Sequence, residues 1–175
     1  MKSKDIAIVG ILLAIGAILR YFLAMLHTPL TPNMIIAFYC LAIILIRPRF
    51  LEALGIGLVA GALSMVISSS MFPPGNLISE PIGALVCFVL YAAMRERTKF
   101  APTATTFVAT LASGFTFAAV AIIAIGATYL AKYNGDLMAF VAVFVPIVVI
   151  TAVFNAIIVQ LLYLPSSRVL LRGQE

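Results

Sequence analysis

The chain has 175 residues, of which 64% are hydrophobic and only 10% charged, against roughly one-quarter charged in soluble domains. A soluble core in so short a chain cannot absorb that much apolar surface, so the composition excludes a soluble globular domain and defines an all-α integral membrane protein. The net charge of +5 does not point to nucleic acid, because the basic residues cluster at the ends of apolar runs, where they act as topological signals.

Charged or Pro/Gly-rich clusters divide the chain into six predicted spans. The first, about Lys4–Met25, is closed by His27, Pro29 and Pro32. It is too long for a signal-peptide core and no small-residue cleavage site follows it, so it is expected to stay in the mature protein. At about 100° per residue, Ala7, Gly10, Ala14, Ala17 and Tyr21 share one narrow sector. Small residues let helices approach to backbone contact in lipid, either inside the bundle or against a partner. A neighbouring sector carries Leu13, Gly16 and Arg20. An arginine inside an apolar span is costly and marks a functional site by default; a structural salt bridge and outward snorkelling are the alternatives.

The second predicted span, about Asn33–Ile46, is short and ends at Arg47-Pro48-Arg49. Spans need about 20 residues, so it is either tilted into a neighbour or incompletely spanning. The third, Phe50–Met71, carries Gly57, Gly61, Ser64 and Ser68 as a close-packing stripe and leads into Phe72-Pro73-Pro74-Gly75-Asn76. The fourth, about Leu77–Met94, ends in Arg95-Glu96-Arg97-Thr98-Lys99. In the fifth, Ala101–Leu130, the hydroxyls of Thr106, Thr110 and Ser113 can bond backward to their own helix. The sixth, Leu137–Leu164, is expected to stop at Pro165, and Pro146 within it frees a carbonyl.

With the N-terminus in the cytoplasm, Lys2, Lys4, Arg47, Arg49, Arg95, Arg97, Lys99, Arg168 and Arg172 all lie inside and only Lys132 lies in an outside loop. This asymmetry predicts cytoplasmic N- and C-termini. The expected fold is a compact six-transmembrane-helix bundle, one domain over residues 1–175, crossing the plasma membrane several times.

The polar outliers gather toward the outer half. Arg20 lies about 16 residues, or roughly 24 Å, along its helix from the cytoplasmic start. Glu80 opens the fourth span at comparable depth, flanked by Asn76, Ser79 and Pro81, while Asn155 on the sixth lies nearer mid-membrane without obvious partners. Arg20 suits a carboxylate and Glu80 an ammonium or ring N–H, so Arg20, Asn76, Glu80 and Asn155 are the candidate substrate-binding residues for a small zwitterion. The competing reading is that Arg20 and Glu80 neutralise each other. Aromatic residues for a ring include Tyr21, Phe22, Phe38, Tyr39, Phe72, Phe115, Phe117, Tyr129 and Phe144. Cys40 and Cys87 read as small core residues, and the single histidine, His27, as interfacial. There is no nucleophile elbow, phosphate-cradling glycine loop or metal motif. Neither a catalytic residue nor a cofactor or metal site is expected.

Size, six spans and a small-residue face on the first helix resemble the substrate-binding (S) component of an energy-coupling factor (ECF) transporter. The stretches Leu12-Leu13-Ala14 through Ala17, Thr31-Pro32-Asn33-Met34 and Asn76-Leu77-Ile78-Ser79-Glu80-Pro81 most resemble its tryptophan-type subfamily. The resemblance implies that Ala7, Gly10, Ala14 and Ala17 dock onto a transmembrane coupling subunit energised by two ATPase subunits. It also implies an outer ligand site built from outer loops and helices four to six. The substrate would be tryptophan, a related aromatic compound or a vitamin. Two departures stand out: Ser79-Glu80 replaces the subfamily's Asp-Lys pair, and Arg20 stands where a neutral or weakly basic residue is expected. Either the changes compensate each other or they mark another substrate. The alternatives from other classes are a small autonomous proton-coupled secondary transporter working through Glu80, for which no internal repeat is evident, and an assembly protein whose polar residues only pack helices.

Overall fold

The computed structural model describes residues 1–25, 32–68 and 70–171. His27, Pro29, Thr31 and Arg172 lie outside the described residues, as does the side chain of Arg168. Six helices follow one another: α1 Ser3–Met25, α2 Met34–Ile46, α3 Phe50–Ile67, α4 Asn76–Met94, α5 Ala101–Ala131 and α6 Leu137–Leu171. There is no strand among the described residues. Five of the helices are long and apolar enough to cross a membrane. The exception is α2, whose 13 residues reach about 20 Å at the standard rise, short of a hydrocarbon core of about 30 Å.

The short helix is the centre of the molecule. Every residue from Met34 to Leu45 is buried, and α2 packs against all five other helices. A helix that is apolar all round is either lipid-bathed or enclosed by protein; here it is enclosed. The other helices each turn one face to this axis and leave the opposite face, rich in Ile, Val and Leu, exposed, as lipid requires.

Among the helices, α1 packs against α2 and α3 alone. Its inner face is Val9, Leu13 and Gly16, with Arg20 one turn further out. Gly16 marks the close approach: a Cβ there would lie 3.1 Å from Phe38 Cβ and 3.2 Å from Ile35 Cα. The small-residue strip lies on the neighbouring face. Ala7, Gly10 and Ala14 are exposed and Ala17 partly so, and a Cβ on Gly10 would meet nothing within 4 Å. Ala7, Gly10 and Ala14 are therefore left open, while Ala17 at the end of the strip packs partly against the core.

By contrast, the stripe on α3 is an internal seam. A Cβ on Gly57 would fall 2.6 Å from Pro81 Cα and 2.9 Å from Ala84 Cβ, and one on Gly61 would fall 2.8 Å from the Asn76 carbonyl oxygen. Those neighbours are backbone or short side chains and cannot swing aside. Gly57→Ala is expected to force α3 and α4 apart and cost about 1–3 kcal/mol. The loss is readable as a lowered thermal midpoint of the purified protein in detergent, and an unchanged midpoint would refute the seam.

Two helix ends differ from expectation. α3 stops at Ile67, before the predicted Met71, because Ser68 turns extended (φ −67°, ψ 129°) and its Oγ accepts the Ser70 N–H at 3.1 Å. That side chain offers the backbone an alternative to helix. α6 does not stop at Pro165 but runs on to Leu171; the missing Pro165 N–H costs one ladder bond, to the Leu161 carbonyl, and a membrane helix tolerates such a break, while Ser167 Oγ donates to the Leu164 carbonyl at 3.1 Å. Pro73–Gly75 forms a single 3₁₀ turn that feeds directly into α4. Residue Ile125 breaks α5 with φ −138° and ψ 34°, one turn before Tyr129.

Candidate functional site

A cavity of about 250 Å³ opens among the C-terminal halves of α1 and α5, the N-terminal halves of α4 and α6 and the start of α2. One wall is acidic. Glu80 is 1% exposed, on the side of α4 facing α3 and α5. A buried carboxylate is tolerable only with donors, and three different elements supply them. Asn33 Nδ2 donates to Oε1, Ser64 Oγ to Oε1 at 3.4 Å, and Ser113 Oγ to Oε2 at 3.1 Å.

The opposing group is Arg20, projecting from α1 into the same cavity. It forms no ion pair with Glu80: among the described residues the ion pairs are Met1 with Glu52 and Arg95 with Glu96. Arg20 Nη1 is instead buried without a hydrogen-bond partner. The two charges therefore share a chamber without closing on each other, and direct neutralisation is not what this geometry holds.

Asn76 also lines the cavity, with its Nδ2 tied to the Pro73 carbonyl at 2.8 Å. Asn155 does not line it. It is fully buried beneath the floor, where Nδ2 donates to the Asn33 carbonyl at 3.2 Å and to Thr110 Oγ1 at 3.3 Å. The partners absent from its own helix thus come from α5 and the start of α2. Thr110 bonds back to the Thr106 carbonyl at 2.9 Å, the pattern expected of membrane hydroxyls.

Of the aromatic candidates, Phe117, Tyr129 and Phe144 line the cavity. Phe144 stacks on Phe140 with centroids 5.1 Å apart, and Tyr129 meets Phe140 edge-on at 5.5 Å, so α5 beyond its kink and the start of α6 share one aromatic cluster. Phe38 and Tyr39 belong to the core, while Tyr21, Phe22 and Phe115 face outward. Sequence reasoning missed Asn33 as a site residue and read Ser64 and Ser113 as packing hydroxyls. Their signal is a distance in space, 47, 16 and 33 residues from Glu80 along the chain, and no local pattern carries it.

A helical bundle of long apolar helices around a small internal chamber, with Arg20 on one side, Glu80 on another and aromatic rings on a third, is a multi-pass membrane protein. The chain belongs to the tryptophan transporter TrpP family, whose sequence model matches residues 2–171. It is therefore a transporter-family protein and not an enzyme. The probable tryptophan transport protein of Bacillus subtilis (strain 168) is 30% identical over 176 residues, covering 98% of this chain and 95% of that protein. No solved structure matches the chain.

Proposed function

We propose that this chain is the S component of an ECF-type importer and binds tryptophan at the outer face of the plasma membrane. The observation that carries the reading is the buried, unpaired Arg20 Nη1 in the same cavity as Glu80. A zwitterion supplies both missing charges at once: its carboxylate goes to Arg20 and its ammonium to Glu80. Phe117, Tyr129 and Phe144 then offer an apolar wall to the indole. The cavity lies just below the roughly 300–1,000 Å³ typical of ligand pockets, as suits a single amino acid. Asn76 braces the start of α4 at the cavity wall, and Asn155 fixes the floor beneath Asn33.

The basic residues gathered at the α2–α3 and α4–α5 turns favour a cytoplasmic N-terminus and C-terminus and an outward cavity. The chain carries no ATP-binding motif, so energy comes from outside it. The exposed strip of Ala7, Gly10, Ala14 and Ala17 is a suitable face for a transmembrane coupling subunit that works with two ATPase subunits.

The test is a titration of the purified chain in detergent. Tryptophan at 100 times its Kd should stabilise the fold by about 2.7 kcal/mol, while water-soluble vitamins should leave the thermal midpoint unmoved. Glu80→Gln keeps the shape but removes the charge, and should weaken tryptophan about 10- to 100-fold, as hydrogen bonds to charged groups imply. Equal affinity for tryptophan in that variant would take Glu80 out of the site. Uptake by the chain alone, driven by a proton gradient, would instead favour a secondary transporter.

A further inference from the structure

Three buried polar atoms on cavity-lining residues make no hydrogen bond: Arg20 Nη1, Asn33 Oδ1 and Ser79 Oγ. Unpaired buried atoms also occur away from the cavity, on Tyr39, Thr105, Thr106 and Asn155, but only the three on the cavity wall are placed to meet a solute, which would satisfy them as buried polar groups usually are. Arg20 can only donate, whereas Asn33 Oδ1 can only accept. The amide's orientation follows from chemistry, because an ionised carboxylate accepts and never donates. Asn33 must therefore turn its Nδ2 to Glu80, which leaves Oδ1 spare. Its backbone is pinned as well, through the bond from Asn155 to its carbonyl. Ser79 is 1% exposed and adjoins Glu80 on α4.

We infer that Asn33 Oδ1 and Ser79 Oγ complete, with Glu80, an acceptor set for a primary ammonium group, and so restrict the site to solutes with a free, unalkylated amine. This rests on the reading of the cavity as an amino-acid site. The argument is a count. A carboxylate has about four lone-pair positions, and Asn33, Ser64 and Ser113 occupy three on Glu80, with the buried Tyr39 hydroxyl beside it. Glu80 supplies the charge but has room for at most about one more N–H. An ammonium brings three donors, and the two it still has to place match the two unmet acceptors. An indole N–H brings one donor and would leave the others stranded in a buried wall.

The experiment compares tryptophan, indole-3-propionate (no amine) and 1-methyltryptophan (no ring N–H) by titration of the full chain in detergent. The variants are Ser79→Ala and Asn33→Leu. Ser79→Ala removes a hydroxyl that makes no bond in the empty protein, so its fold is retained even if Asn33→Leu, which strips a donor from Glu80, is damaged. Ser79→Ala is expected to weaken tryptophan and 1-methyltryptophan about 10-fold each and to leave indole-3-propionate unchanged; Asn33→Leu should follow the same pattern with a larger loss. Equal weakening of all three ligands, or of none, overturns the assignment while the cavity remains a tryptophan site. Loss confined to ligands with a ring N–H reassigns Asn33 and likewise overturns it. A wild-type chain that binds no tryptophan overturns the amino-acid reading itself.

Discussion

Arg20→Met should abolish measurable tryptophan binding, a loss of about 100-fold or more, while leaving the empty protein as stable as before. The two halves of this expectation have separate causes. Truncating one partner of a buried charge pair between protein and ligand costs about 2–5 kcal/mol, largely because the other charge is left unpaired. In the ligand-free protein there is no such pair to lose. The guanidinium has an unmet Nη1 and closes no ion pair with Glu80 among the described residues, so methionine of similar length removes no such bond from the empty protein. Binding and thermal midpoint measured on the same preparation check it. Arg20→Lys should recover part of the affinity, because the charge returns without the planar fork. A variant that unfolds as it loses binding would make Arg20 a structural residue after all.

Ala14→Trp should eliminate uptake in cells that supply the coupling subunits, while the purified chain keeps its tryptophan affinity. Ala14 is exposed on the face of α1 next to the one that carries Leu13 and Gly16, so a bulky ring there stands outside the bundle and away from the cavity. A small-residue face associates by close approach of backbones, and an indole ring holds the partner away by several ångströms. A drop in uptake of at least about 10-fold without a change in Kd is the expected pair of results, 10-fold corresponding to about 1.4 kcal/mol of lost association. Parallel loss of binding would mean that Ala14 packs internally, and undiminished uptake would move the docking face elsewhere.

Much of the architecture was legible because lipid imposes simple rules on sequence. The apolar runs, the breaks at Arg47-Pro48-Arg49 and at Arg95 to Lys99, and the seam of Gly57 and Gly61 all register in the chain itself. The two faces of α1 were separable by their angular positions, although only the structure decides that the Ala14 side is the outer one. What could not be read was where α2 sits. Leucine facing lipid and leucine facing protein are the same signal, so all-round burial of Met34 to Leu45 left no trace in composition. Arg20 and Glu80 could be matched by depth, since rise per residue is a fixed ruler. Asn33 could not, because its link to Glu80 runs through space between elements that share no periodicity. Pro165 misled for a related reason: a proline ends most helices in water, whereas in a membrane helix the loss of one ladder bond, here to the carbonyl of Leu161, is tolerated and α6 continues to Leu171.

The central position of α2 also bears on how the protein is made. Membrane helices commonly enter the bilayer one by one and associate afterwards, and α1 and α3 to α6 have the length for that route. At about 20 Å, α2 is too short to be held by lipid alone, and the helices that enclose it on the far side, α4, α5 and α6, are synthesised after it. Its insertion and its association are therefore one event, completed only when the last helix has arrived. Truncated chains ending before α6 should leave this segment, and with it Asn33, without a settled place in the membrane.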